Sequence, residues 1–260
     1  MASPIGHHVM CRIVDSRVIA PTTEERRQVS RVVLDKCQRH RLLCFNVPDT
    51  HLHMVIAEEE SICNELARRI EIAITLQMKL KVGFNRAHPK PILDQQHLFQ
   101  AFDYVLRQQP HHKLEWDPFH EASNLSDLLG LRVIGQYTAT NVRHLLPRIQ
   151  RSDLLARLGV DDLIEADGPV ELLVPATLAA TGRAHLRGRD RETRTIWRTM
   201  LAVVGSSCTL SRLARLLGVH RSTLTRVKEL SVDLRLFRAI RLQLGLRLAV
   251  AERPAEAFVR

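Results

Sequence analysis

The stretch Leu42-Leu-Cys-Phe-Asn-Val-Pro-Asp-Thr-His-Leu-His-Met-Val-Ile-Ala57 reads as two short strands around a turn at Pro48-Asp49-Thr50. Apolar and β-branched residues fill both arms, and Pro-Asp-Thr supplies the turn chemistry between them. On a strand, residues i and i+2 face the same side. His51 and His53 therefore present their imidazoles to one point, which is the geometry a metal ion needs. About fifty residues later, Tyr104 and Gln108 are spaced i, i+4 in a helical segment, one turn apart on one face. Two strand histidines, a tyrosine hydroxyl and an amide form a donor and nucleophile set suited to metal-assisted phosphodiester chemistry.

Working outward from the hairpin, His8 to Ile19 alternates weakly and reads as a first strand or hairpin. Thr22 or Thr23 caps a helix with Glu24 and Glu25 in its first turn, expected to run to about His40. Glu58–Glu60 open a second helix through about Leu80. Residues 84–91 read as loop, a short strand is expected at Ile92–Asp94, and Gln96–Gln109 reads as a helix ended by Pro110. The order β-α-β-β-α-β-α implies an α+β arrangement, an antiparallel sheet with helices on one face. Residues 111–140 look irregular. Helical patterns follow at 143–158, 170–180, 191–204, 209–217, 220–230 and 233–250, punctuated by Gly168-Pro169, Thr181-Gly182 and Gly205-Ser206-Ser207.

Charge divides the chain in the same place. The 260 residues carry a net charge of +10 and a pI near 10.0, which points to an anionic partner. Residues 1–139 hold 17 Lys+Arg against 16 Asp+Glu, and residues 140–260 hold 21 against 12. Within 183–247 the count is 15 against 4, nearly all Arg, the side chain suited to bidentate phosphate and guanine contacts. An Arg-rich genomic background is the bland alternative. Five cysteines without a CxxC pair argue for a reducing cytosol and against a disulfide framework or zinc ribbon. No signal-peptide pattern opens the chain, and no apolar run reaches the roughly 18 residues needed to span a bilayer.

The segment Leu43–Ile56 resembles the histidine-hydrophobic-histidine motif of single-tyrosine HUH transposases, and in particular the REP-associated tyrosine transposases. In that family a strand and a Pro turn precede two metal-binding histidines. Asp103-Tyr-Val-Leu-Arg-Gln-Gln-Pro110 resembles the family's catalytic helix, where Asn or Gln follows the tyrosine by four. His8-Val-Met-Cys-Arg12 resembles its opening strand. The resemblance covers about residues 7–131. It implies Tyr104 as nucleophile, His51, His53 and Gln108 as ligands of a divalent ion (Mg²⁺ or Mn²⁺), and a ferredoxin-like sheet. Many relatives carry Gly-His-Leu-Phe-Gln-Gly before the catalytic helix, whereas this chain has Ala87-His-Pro-Lys-Pro-Ile-Leu-Asp94 there.

The chemistry is also readable without the family. A tyrosine hydroxyl has a pKa of about 10, so attack on a phosphodiester needs an electrophilic phosphorus and neutralised oxygens, which a divalent ion supplies. The product is a 5′-phosphotyrosine and a free 3′-hydroxyl. Bland alternatives compete: edge-strand histidines for His51 and His53, and an amphipathic aromatic for Tyr104. Tyr137, the other tyrosine, lies in a Gly-rich stretch without a ligand-type residue at i+4. His111 and His112 follow the helix, as DNA contacts or as surface turn residues. Arg12, Lys79, Lys81, Arg86 and Lys90 flank the site as backbone contacts to single-stranded DNA, or as solvated charge.

Near the other end, residues 209–227 follow a helix-turn-helix pattern: small Ala214, Gly218 in the turn, and apolar Val219 and Leu224. Arg221, Ser222, Thr223, Thr225 and Arg226 then supply a recognition helix; a plain αα-hairpin is the alternative. The amphipathic stretch Leu230–Ala251 suits core packing or a homodimer face rather than a membrane surface. The combined expectation is a nuclease domain at 1–139 followed by an all-α DNA-binding domain at 140–260. The chain is then a cytoplasmic, nucleoid-associated, bacterial-type enzyme of DNA transposition and recombination that nicks single-stranded DNA beside a hairpin. A non-cutting DNA-binding regulator and a replication or mobilisation initiator are the competing readings.

Overall fold

The computed structural model describes residues 3–108, 114 and 117–252. His111 and His112 lie outside them. The chain is α+β and separates into two compact units, residues 1–129 with 134–159 and residues 130–133 with 160–260.

The first unit is built on four strands, β1 (Gly6–Arg12), β2 (Leu42–Asn46), β3 (His51–Ile56) and β4 (Lys90–Ile92). All pairs are antiparallel, in the order β2-β3-β1-β4. Helix α1 (Thr23–Lys36) follows β1 and α2 (Glu60–Gln77) follows β3. The start of α1 is set by a capping box. Thr22 Oγ1 accepts from Glu25 N at 3.2 Å, and the Glu25 carboxylate accepts from Thr22 N at 2.9 Å. The helix stops at Lys36, short of His40, because a tight turn takes over: Gln38 N donates to Asp35 O and His40 N to Cys37 O. Val9, Cys11, Leu52, Met54 and Ile56 turn one sheet face onto Val29, Val33, Leu66, Ile70 and Ile74, a closed apolar core.

The helices are not confined to that face. Helix α3 (Gln95–Leu106) packs on β2 and β3 from the other side. Cys44 Sγ reaches Phe102 O (3.8 Å) and Asn46 Nδ2 donates to Val105 O (3.2 Å), with Phe102 and Val105 buried. The fourth strand is Lys90–Ile92 rather than Ile92–Asp94. Asp94 is the N-cap of α3, its carboxylate accepting from His97 N at 2.8 Å, so it cannot extend the ladder.

From residue 117 on, the chain is more ordered than its composition suggests. Helices α4 (Leu125–Leu128), α5 (Gln136–Leu145) and α6 (Arg151–Arg157) all belong to the first unit. The segment before α4 covers the edge of β2, whose residues are all buried. Val47 N donates to Ala122 O (2.8 Å). β2 carries an irregularity between Leu42 and Cys44, and the Asn124 amide satisfies the backbone there: Phe45 N donates to its Oδ1 (2.9 Å) and its Nδ2 donates to Leu43 O (3.0 Å). Glu121 is clamped by the buried Arg27 guanidinium through bonds of 2.7 and 2.6 Å. Tyr137 sits in α5, its hydroxyl donating to Leu34 O at 2.9 Å. Asn141 donates to His40 O and Leu42 O. These bonds carry the first unit past 139/140, and the Arg151 bond to Leu129 O with the Arg157–Asp103 pair carries it on to residue 159. The single helix expected at 143–158 is two, since Pro147 cannot continue the first.

The second unit is helical: α7 (Val170–Thr181), α8 (Arg191–Val204), α9 (Leu210–Leu217), α10 (Arg221–Val227) and α11 (Leu234–Ala251). Leu173, Trp197, Met200, Leu213, Ala214, Leu224, Ile240 and Leu244 close its core. Most of the apolar side of α11 is spent there, although Leu234 is 76% exposed. Gly245 is required by close approach: a Cβ at that position would collide with the backbone carbonyl of Ile164. Of the five free cysteines, Cys11, Cys37, Cys44 and Cys63 are buried and Cys208 is half-buried. Among the described residues, no helix is long and apolar enough to cross a membrane.

Candidate functional site

Register decides what meets on the α3 side of the sheet. β1 pairs with β3 so that Met10 lies opposite His53, Arg12 opposite His51 and His8 opposite Val55. Paired residues share a face, so His8, Met10, Arg12, His51 and His53 form one row. β2 adds Asn46 opposite His53, and β4 adds Lys90 opposite His8. His8 and His53 are diagonal neighbours, within reach of each other's rings.

The side chains use that proximity. His8 Nε2 lies 3.0 Å from His53 Nδ1. The His51 and His53 ring centroids are 4.6 Å apart. From α3, the Tyr104 ring stands 5.8 Å from both His8 and His53, edge-on to each. His53 is 2% exposed and Tyr104 40%, so the cluster has a buried floor and an open rim. Gln108 follows α3 and is buried, its Nε2 donating to Tyr104 O at 2.9 Å. The sheet and α3 thus bring His51, His53 and Tyr104 together. Gln108 is held to the helix end beside the tyrosine.

Both strand histidines are held through Nδ1. His51 Nδ1 lies 3.0 Å from Thr50 Oγ1 and 3.4 Å from an Asp49 carboxylate oxygen. The nitrogen that each ring would offer to a metal is therefore Nε2, the arrangement in which a ligating histidine is oriented through its other nitrogen. Two imidazoles and an amide suit a divalent ion and leave positions open for phosphate oxygens. Among the described residues, no group of three or more His, Cys, Asp or Glu side chains is placed to hold a metal; the donor set here contains only two.

Charge is arranged around a neutral centre. Burial, reinforced by the Lys90 and His97 charges, pushes the His8 imidazole down to about 4. At neutral pH that ring is uncharged. Asp103, next to the nucleophile candidate, is paired with Arg107 at the end of its own helix (3.1 Å) and with Arg157 of α6, and the second pair tethers α3 to α6.

The basic candidates spread along one end of the sheet. Arg12 donates to Ser16 Oγ at 3.3 Å. The exposed Lys81 and Arg86 lie on a connection held to the end of β1 by Val14 N to Gly83 O (3.1 Å) and Asn85 N to Arg12 O (2.8 Å). Lys79 is exposed just past α2, with φ of +51°, a left-handed position that helix ends favour. Lys90 is exposed beside His8.

In the helical unit, Gly218 turns the chain between α9 and α10 with φ of +64°, a conformation costly for any side chain with a Cβ. Val219 N donates to Ala214 O at 3.0 Å. Leu224 and Val227 point into the core, which leaves Arg221, Ser222, Thr225 and Arg226 exposed; Thr223 is half-buried. Ser222 Oγ lies 2.7 Å from Nδ1 of the capping His220.

His8 is the member of the cluster that the linear reading does not assign. Strand alternation places it on one side or the other of β1, but only the β1–β3 register makes it a neighbour of His53. Asn46 enters the same neighbourhood through the β2–β3 register, and His120 is joined to it at 3.2 Å. No protein-family model matches the chain, and neither a curated protein nor a solved structure matches it.

Proposed function

We propose that the chain is a metal-dependent single-stranded DNA nicking and strand-transfer enzyme of the single-tyrosine HUH type, with the sheet unit as the nuclease domain and a helix-turn-helix reader in the helical unit. The observation that supports this best is the approach of the Tyr104 ring to within 5.8 Å of both His8 and His53, beside the His51–His53 pair. No core requirement puts a partly exposed tyrosine over a histidine cluster, whereas an attacking hydroxyl beside metal donors does require it.

In this reading His51 and His53, with Gln108, would hold a divalent ion, which would supply Lewis-acid polarisation of the phosphorus and neutralise charge on its oxygens. Tyr104 Oη attacks that phosphorus. A tyrosine–phosphorus bond forms, the bond to the 3′-oxygen breaks, and the departing oxygen takes up a proton as a 3′-hydroxyl. A later 3′-hydroxyl reverses the step, so strand transfer needs no nucleotide cofactor. Lys90, Arg12, Lys81 and Arg86 lead the backbone of a single strand across the open rim. The REP-like hairpin preference rests on the family resemblance, and cytoplasmic, nucleoid-associated localisation belongs to the same reading.

A second reading is a regulator that keeps the fold and binds DNA without cutting it. It is favoured by the exposed Arg221, Ser222, Thr225 and Arg226 side chains of α10, which binding alone would use. One experiment separates the two. The full chain is incubated with Mn²⁺ and labelled hairpin oligonucleotides from its own genomic neighbourhood. The enzyme reading expects a covalent adduct that Tyr104→Phe abolishes while DNA binding persists. An adduct of normal yield in that variant removes Tyr104 from the mechanism, and no adduct in either chain leaves the regulator.

A further inference from the structure

We propose that His8 is a positioning residue for this site: its Nε2 accepts a hydrogen bond from Nδ1–H of His53, and so fixes His53 in the tautomer whose Nε2 lone pair is presented as a ligand. The proposal goes beyond the function above and rests on it only where it concerns the metal.

Ring geometry carries the inference. The two planes are 15° apart and the centroids 5.2 Å apart. That separation is what a 3.0 Å nitrogen–nitrogen contact leaves once a ring radius is added at each end. The imidazoles therefore meet edge to edge in nearly one plane, with the contact along the line an N–H···N bond prefers. Only one proton fits between the two nitrogens. If His8 supplies it, His53 accepts at Nδ1 and a neutral His53 carries its own proton on Nε2, where it blocks a metal. If His53 supplies it, Nε2 keeps its lone pair. His51 gives the second case a precedent within the site, since its Nδ1 faces an Asp49 carboxylate oxygen at 3.4 Å, which as a carboxylate only accepts. Both rings are then fixed through Nδ1 and present the same nitrogen. Such outer partners set tautomer and ring orientation in histidine metal sites.

His8 is well placed for this role because it is anchored from two sides. Its backbone lies in the β1 ladder between β3 and β4, opposite Val55 on one side and Lys90 on the other. The ring cannot follow a mobile loop.

The test has two parts. Long-range ¹⁵N correlation spectra of the metal-free, uniformly labelled full chain at pH 7.5 report the His53 tautomer, with its signals assigned by their loss in His53→Ala. The expected result is a protonated Nδ1 and an unprotonated Nε2; a protonated Nε2 overturns the proposal. Mn²⁺ affinity is then measured by calorimetry for the wild type, His8→Gln and His8→Phe. His8→Phe keeps a ring and loses the acceptor, so affinity is expected to fall roughly 10–100-fold. In His8→Gln an amide oxygen can take the place of Nε2, and affinity is expected to stay close to wild type. Equal loss in both variants, or none in His8→Phe, overturns the proposal. A wild-type chain that binds no Mn²⁺ removes the metal function proposed above, while the tautomer still decides which ring donates.

Discussion

The sheet unit and the helical unit solve opposite problems with polar residues. In the sheet unit the informative groups are short-range and largely buried: His53 at 2% exposure, the Arg27–Glu121 pair, the Asn124 amide against β2. In the helical unit they are long, charged and exposed, as on α10. Charge follows the same division even with the boundary redrawn. The sheet unit has 20 Lys+Arg against 17 Asp+Glu, and the helical unit 18 against 11. Fixed interatomic distances need desolvated partners and a rigid frame, whereas a phosphate backbone is met by mobile guanidinium groups in water. In the function proposed above, one chain would carry both devices by keeping them in separate cores.

The division of labour is most exposed to test at the histidines. His51→Ala with His53→Ala is expected to eliminate metal-dependent nicking and Mn²⁺ binding together, while duplex binding by the helical unit stays at its wild-type level. Nicking that survives in the double variant, or duplex binding that disappears with it, would show that the functions are not divided in this way.

Next in size is the buried ion pair. Glu121→Ala leaves the Arg27 guanidinium buried without its carboxylate and is expected to cost the sheet unit about 3–5 kcal/mol. Thermal unfolding followed by near-ultraviolet dichroism and, in a Trp116→Phe background that leaves Trp197 as the sole tryptophan, by fluorescence distinguishes the units, because Trp197 lies in the helical core. A matching downward shift in the Trp197 transition would count against independent cores.

A smaller effect is expected on α10. Replacing Arg221 and Arg226 with Ala should reduce the slope of log affinity against log salt by about 1 for each phosphate that is no longer neutralised. A loss of about 1–3 kcal/mol confined to particular sequences would instead indicate a base contact. No change in either quantity across a salt series would remove α10 as the reader.

The smallest expected effect concerns Asp190, the N-cap of α8. Its carboxylate accepts from the Thr193 backbone N–H at 2.8 Å and from its hydroxyl at 2.7 Å, which hold it down to about 2 against an ordinary value of 3.8. A depressed acid stabilises the fold above its unfolded value and loses that contribution as pH falls toward 2. Asp190→Ala should therefore lower the helical unit's midpoint by a few degrees at pH 7 and by much less at pH 2. An undiminished difference at pH 2 would mean that the cap does not act through its charge.

Local chemistry makes much of this fold legible from the sequence. The Pro48-Asp49-Thr50 turn, the Thr22–Glu25 capping box, and the Thr209 cap with Gly218 after α9 all write their elements within a few residues. What is not legible depends on partners far away in the chain. β4 forms at Lys90–Ile92 because Gly6–His8 is there to pair with it. Residues 121–124 look unstructured until the edge of β2 and Arg27 give them bonds. The units divide at 159/160 because α5 reaches back to Leu34, His40 and Leu42 and α6 to Leu129 and Asp103. In the candidate site, the alternation of His51 and His53 and the helical spacing of Tyr104 and Gln108 are visible in one dimension. The position of His8 is not, because it depends on cross-strand register.

The two bonds that seat α3 on β2, Cys44 Sγ to Phe102 O and Asn46 Nδ2 to Val105 O, also decide whose tyrosine faces whose histidines. The helix is fastened to the strand paired with the histidine strand, so each molecule carries a complete set of its own. Two crippled molecules, one missing the hydroxyl and the other the imidazoles, would have nothing to lend one another. The activity proposed here would then be a property of the solitary molecule, proportional to the number of molecules present and indifferent to how often they collide.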